Sequence, residues 1–135
     1  MDIVDLAVNG TLMRGLVLNP NLIGVGAIFV REAFTEPVYR LWSIGDIHPA
    51  MVRVRDGGAA IAVEVWQVPS AGLGMLLWQE PPGLSVGKVR LADGEMVLGV
   101  LGEPILCENQ LEITEWGGWR AYMASKHPVF SVKGV

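Results

Sequence analysis

The stretch from Val8 to Asn19, VNGTLMRGLVLN, separates two apolar runs and carries two glycines, a threonine and an arginine. Two readings of it lead to different proteins. In the first it is a strand-to-helix turn whose glycines relieve steric crowding. In the second, Gly10 and Gly15 let backbone N–H groups point into a concavity that holds a carboxylate or a developing oxyanion. Composition alone favours the turn. Neither GxxxxGK[ST] nor GxGxxG occurs here, so a nucleotide phosphate site has no support.

Outward from this loop, turn residues punctuate the chain throughout. Ile3 to Val8 reads as a buried strand interrupted only by Asp5. Asn19-Pro20-Asn21 reads as a helix start, with Asn19 as cap and Pro20 at the first helical position, and Gly24 and Gly26 keep that helix short. Ala27 to Glu36 and Val38 to Ile44 read as strands paired about Glu36-Pro37. Gly45 to Pro49 reads as a loop, and Met51 to Arg55 as a brief strand ended by Asp56-Gly57-Gly58. Ala60 to Val68 alternates, with Ile61, Val63 and Val65 on one face and Ala62, Glu64 and Trp66 on the other. Leu73, Leu76 and Leu77 then have helical spacing up to the Pro81-Pro82 break. Leu84 to Leu91 and Glu95 to Leu101 flank Ala92-Asp93-Gly94, a hairpin signal. Glu112 to Lys126 reads as a turn feeding a short helix, and residues 127–135 as a tail.

This pattern predicts an α+β fold built as one domain over residues 1–126: a small mixed, mostly antiparallel β-barrel with short flanking helices. At 135 residues the chain has room for a single core. Seventeen glycines and eight prolines fit many short strands. The net charge of -4 argues against a nucleic-acid partner, which needs a basic stripe. No apolar run approaches the roughly 20 residues of a membrane span. MDIVDLAVNG lacks a basic start, so a cytoplasmic protein is expected. The 51% hydrophobic content suggests a face through which a homodimer could form. Cys107 is the one cysteine, and His48 and His127 are the two histidines. Neither histidine has a second ligand at metal spacing, so no metal and no cofactor is expected.

Among acids, Glu64 sits between Ala62 and Trp66, and Glu80 between Trp78-Gln79 and Pro81-Pro82. A carboxyl in apolar company has a raised pKa and can move protons near neutrality. A solvated helix end is the commoner setting for a residue placed like Glu80, and a hydrogen-bonded structural role the commoner one for Glu64. Arg14, Arg40, Arg53 and Arg120 are candidates to grip a substrate carboxylate. Arg40 and Arg120 lie in VYRLW and GGWRAY, where stacking on the aromatic rings competes with that role. No local motif links a histidine to Ser43, Ser70, Ser85 or Cys107, so a nucleophilic triad is unsupported.

VNGTLMRG resembles the YGSL-type signature loop of the γ-glutamylcyclotransferase-like superfamily, with Asn9 in place of the usual tyrosine. The ordered segments NGTLMRGLVLNPNL, GAIFVREAFTEPVYRLWSI, PAMVRV, GGAAIAVEVWQVP, PGLSVGKVRLADG and ITEWGGWRAY resemble the C-terminal domain of allophanate hydrolase and its free-standing relatives more closely, from about Leu6 to Tyr122. The resemblance implies a small barrel in which the loop lines a cavity at one end, with Asn9, Gly10, Thr11 and Leu12 against the substrate. By position LLWQE falls where cyclotransferases have LDxxE, which makes Glu80 the matching general base, with Leu77 in place of the aspartate. Allophanate-hydrolase domains tend to have an apolar residue before the proline, where this chain has Glu80, and often a histidine where it has Leu12.

Three functions follow as expectations from the resemblance. One is release of 5-oxoproline from a small γ-glutamyl amine or amide, with Glu80 catalytic and Glu64 a secondary acid. Another is a non-catalytic module that works with an amidase-type partner or dimerises. The third is decarboxylation of a small N-carboxylated urea derivative, an anion that would require Arg14 and Arg40 to face the cavity.

Overall fold

The computed structural model describes residues 2–126, so the expected tail over 127–135 lies outside the described residues. The strands are β1 (Ile3–Val8), β2 (Ile28–Phe34), β3 (Tyr39–Ile44), β4 (His48–Arg53), β5 (Ala62–Pro69), β6 (Leu84–Arg90), β7 (Met96–Gly102) and β8 (Leu111–Glu112). The helices are α1 (Asn19–Gly24), α2 (Ser70–Trp78) and α3 (Trp119–Lys126), and short 3-10 turns cover Pro104–Cys107 and Thr114–Trp116. None of these helices is long and apolar enough to cross a membrane.

The fold is α+β and mostly antiparallel, as expected; only β1 and β7 pair in parallel. The strands form two sheets, in the orders β2-β5-β1-β7-β6 and β4-β3-β8. The larger sheet curls until its edges meet at one end, where Thr35 bridges Leu91. There the Glu36 N–H donates to Arg90 O at 3.0 Å and the Ala92 N–H to Phe34 O at 2.8 Å. The ring is not closed beyond that point. The second sheet lies against β7, where Gly102 leaves space that Ala50 of β4 fills; a Cβ at Gly102 would sit 2.7 Å from the Ala50 Cβ.

Two expectations about pairing are corrected. β2 does not pair with β3: its partner is β5, in a register that runs from Ile28 opposite Gln67 to Phe34 opposite Ala62. Glu36-Pro37 carries the chain from one sheet to the other instead of closing a hairpin. Thr35 still receives the first sheet's bond, its N–H donating to Ile61 O, whereas Tyr39 exchanges bonds with Ala59. The second correction concerns Gly45 to Pro49. The turn is only Gly45-Asp46-Ile47, with Gly45 and Asp46 both at φ 60° and the Ile47 N–H donating to Ile44 O. Ile44 then pairs with His48, so His48 and Pro49 already belong to β4.

Asn19 begins α1 as its first helical residue, with Leu18 at the cap position. Its side-chain Nδ2 donates to Leu12 O at 2.8 Å and ties the helix back to the loop. β1 is buried at Leu6, Ala7 and Val8, and with Val63, Val65 and Val68 of β5 it forms part of the core.

Within this apolar setting Glu64 is 2% exposed. It accepts from the Arg14 N–H at 2.8 Å, Arg14 Nε at 3.2 Å, Trp66 Nε1 at 3.1 Å and Arg120 Nη2 at 3.1 Å. Burial pushes its pKa up, but these donors outweigh burial and hold it below the ordinary glutamate range. An acid with a depressed folded pKa stabilises the fold above its unfolded value, about 4.3, and that contribution disappears as pH falls through the folded value. Glu64→Gln is therefore expected to cost about 2–3 kcal/mol at neutral pH, since it unpairs two guanidinium groups that are themselves half exposed. Urea denaturation should show the gap between the two proteins closing below about pH 4; a gap that stays constant with pH would rule out this ionised role.

Candidate active site

The loop after β1 is built by a set of local bonds. The Met13 N–H donates to Gly10 O at 2.9 Å, the Leu16 N–H to Met13 O at 3.1 Å and the Leu18 N–H to Thr11 O at 3.0 Å. The N–H groups of Gly10, Thr11 and Leu12 take no part in these turn bonds. Gly15 lies at φ +77°, a conformation that favours glycine. Asn9 is buried, and its Nδ2 donates to Val100 O at 2.9 Å, fastening the loop to β7. Gly10 lies so close to the ring of Pro49 that a Cβ there would stand 2.5 Å from the proline Cδ. Only glycine fits between the loop and β4.

Against this loop lies a cavity of about 10 Å3, room for about one water, lined by Val8, Asn9, Gly10, Thr11, Leu12, His48, Pro49, Glu80, Leu84 and Val100. Glu80 reaches it from the end of α2. The Glu80 N–H still donates to Leu77 O at 3.1 Å. Pro81, which lacks an N–H, then ends the helical path. Glu80 Oε2 is buried and has no hydrogen-bond partner among the described residues. Burial pushes this carboxyl up to about 7, so at neutral pH both its acid and its base form are populated.

Five of the expected residues thus converge: Asn9, Gly10, Thr11, Leu12 and Glu80 line one space. Their parts differ, because Asn9 has its amide nitrogen engaged with Val100 and offers little to a ligand. Arg14 is directed elsewhere. Its guanidinium stacks 3.7 Å over Phe29, Nη2 reaches Glu32 at 2.8 Å and Nε holds Glu64. Arg40 is paired with Glu112 at 3.5 Å in the second sheet and does not line the cavity. Glu64, already saturated with donors, does not line it either. Arg120 does not depend on ring stacking as expected: it donates to Arg14 O at 2.6 Å and to Glu64.

One further cavity residue was not among those expected. His48 is 7% exposed, sits at the start of β4 and faces the same cavity. Its Nδ1 is 3.0 Å from Pro49 O. A carbonyl oxygen can only accept, so this bond needs the proton on Nδ1 and leaves Nε2 as an acceptor. The adjacent proline was the available clue, since an X-Pro step favours extended backbone and hence a strand.

Residues 4–124 match the family described as the allophanate hydrolase C-terminal domain. Among solved structures, a uropathogenic E. coli-specific protein is 58% identical, with a TM-score of 0.90 over 92% of this chain and 98% of that one. The allophanate hydrolase of Kluyveromyces lactis is 30% identical, with a TM-score of 0.86 over 93% of this chain but 22% of that one. The urea amidolyase of Saccharomyces cerevisiae is 31% identical over 126 residues, which is 88% of this chain and 7% of that protein. The chain therefore spans a small part of these longer relatives.

Two substitutions test the geometry. Gly10→Ala forces a methyl group into the rigid Pro49 ring and is expected to destabilise by about 1–3 kcal/mol, measurable by urea denaturation; an unchanged midpoint would mean that the loop does not press on β4. For Glu80, a folded pKa of about 7 exceeds the unfolded value. The native state then binds the proton more tightly, and stability falls as pH rises from about 4.3 to 7. Glu80→Gln is expected to remove this slope and to gain on the order of 2 kcal/mol above pH 7. Identical pH dependence in the two proteins would show Glu80 to be solvated.

Proposed function

The chain belongs to the allophanate hydrolase C-terminal domain family and has a γ-glutamylcyclotransferase-like fold; we propose that it acts on a small γ-glutamyl amine or amide and releases 5-oxoproline. The observation that carries this reading is the unpartnered, buried carboxyl of Glu80 in the same cavity as the loop Asn9–Leu12. In the reaction the α-amine attacks the γ-carbonyl carbon. Glu80 takes a proton from that amine and returns one to the departing nitrogen as the old C–N bond breaks. The backbone N–H groups of Thr11 and Leu12 hold the substrate and the oxyanion that develops on the γ-carbonyl oxygen. Ring closure is favoured because the attacking amine is tethered to its target.

The cavity holds about one water as it stands. A γ-glutamyl group therefore enters only if a lining side chain gives way, and the Pro49 ring above Gly10 is the tightest of these contacts. Decarboxylation of an N-carboxylated urea derivative has weaker support. That substrate is anionic, and both Arg14 and Arg40 point away from the cavity.

A second reading, a module working with an amidase-type enzyme, is favoured by the K. lactis and S. cerevisiae relatives, in which the matching segment is 22% and 7% of a longer protein. Retention of such an enzyme in a pull-down would support it. A lone monomer by light scattering that retains none would count against it.

The first reading is tested by incubating the protein with a panel of γ-glutamyl amines and amides and assaying 5-oxoproline. Turnover is expected to rise with pH through about 7, because the carboxylate form of Glu80 is the base. Glu80→Gln is expected to lower kcat by about 10²-fold or more. No product from any member of the panel, or full turnover by Glu80→Gln, overturns the reading.

A further inference from the structure

Cyclisation of a γ-glutamyl amide moves more protons than one carboxylate carries at a time. The α-ammonium nitrogen holds three protons, and the lactam nitrogen keeps one. Two protons must leave it as its bond to the γ-carbon forms. The departing amide nitrogen bears one proton and must gain two to leave as an ammonium ion. The balance closes within the substrate, provided that two groups relay the protons.

Glu80 is one such group. Among the residues lining the cavity, His48 is the only other side chain that can both take up and release a proton. The two do not bond each other: Glu80 Oε2 has no partner, and the bond recorded for His48 runs from Nδ1 to Pro49 O. They face a space about one water wide, so a small group between them can reach both. The Pro49 carbonyl can only accept, so it selects a proton on Nδ1, and in the neutral ring Nε2 is then free to act as a base. At 7% exposure the ring is also shielded from bulk water, which limits competition for that lone pair.

We propose that His48 is the second acid–base residue of this site, its Nε2 taking one proton of the substrate ammonium while Glu80 takes the other. This rests on the cyclotransferase reading above. As the C–N bond breaks, Glu80 protonates the leaving nitrogen, and His48 Nε2 delivers the remaining proton as the amine departs. The ligand class this implies is a γ-glutamyl compound with a free α-amino group. An N-acylated γ-glutamyl compound, which cannot supply two protons from that nitrogen, is excluded.

The test combines kinetics with nitrogen NMR of the imidazole. The sequence has two histidines, so a single variant assigns the signals. His48→Asn is the informative substitution, because its Nδ2–H can replace Nδ1–H toward the Pro49 carbonyl while the base is lost. It is expected to keep the wild-type unfolding midpoint within a few degrees, to lower kcat at least about tenfold with little change in KM, and to remove one ionisation from the pH profile of kcat. His48→Gln, which places an amide nearer the position of Nε2, serves if His48→Asn unfolds. In the wild type, nitrogen shifts should report a proton on Nδ1 and a bare Nε2. Wild-type turnover with an unaltered rate and pH profile in a folded His48 variant overturns the proposal and leaves the cyclotransferase reading standing. A proton found on Nε2 in the neutral ring overturns it on its own. Absence of 5-oxoproline from the wild type defeats the underlying reading, and the assigned role of His48 with it.

Discussion

The carboxylate of Glu64 is the constraint on which the arrangement depends. A carboxyl at 2% exposure on the middle of β5 is unfavourable unless donors come to it. Here they come from three directions: the loop after β1 through Arg14, its own strand through Trp66, and α3 through Arg120. Arg120 also donates to the Arg14 carbonyl, so loop and helix are fastened to each other as well as to the sheet. The far half of the loop is thereby pinned on one side of β5. Its near half, Gly10 to Leu12, is left against β4 and the end of β7. The same bonds hold Arg14 away from the cavity, which no arginine lines.

Two glutamates in one small domain thus have opposite electrostatics, and environment alone separates them. Both are largely removed from water, which raises the pKa of each. Glu64 is surrounded by N–H donors that favour its charged form, and it remains a carboxylate. Glu80 has one oxygen with no donor at all, and its pKa comes to lie near neutrality. One acid is thus a fixed charge that holds the fold together, and the other, at a separate place, lines the cavity.

Much of this was legible from residue order. β1 matched its apolar run to the residue, α2 followed the leucine spacing between Pro69 and Pro81, and Ala92-Asp93-Gly94 marked the β6–β7 hairpin. These features are local, set by periodicity and turn chemistry within a few residues. The partner of β2 was not legible, because adjacency favours a hairpin and nothing in Glu36-Pro37 reveals that the chain is changing sheets. The short Gly45-Asp46-Ile47 turn was not legible either, since it requires a left-handed aspartate at φ 60°. That aspartate accepts from Ser43 Oγ, Tyr122 Oη and Lys126 Nζ, and Tyr122 and Lys126 lie on α3, far along the chain. With the turn unmarked in the sequence, His48 read as a loop residue and not as part of a strand facing the cavity.

The shortness of that turn has a consequence for how the cavity fills. With only Gly45, Asp46 and Ile47 between the strands, β4 begins at once, and His48 and Pro49 enter the site as neighbours on one strand. Pro49 plays two parts. Its ring occupies the space above Gly10, and its carbonyl accepts the bond that fixes the His48 imidazole. A ligand large enough to displace the ring therefore acts on the residue that orients the histidine. In the reaction proposed above, admission of substrate and alignment of His48 are linked through one proline, and Gly10 is the position on the loop where the two sides meet.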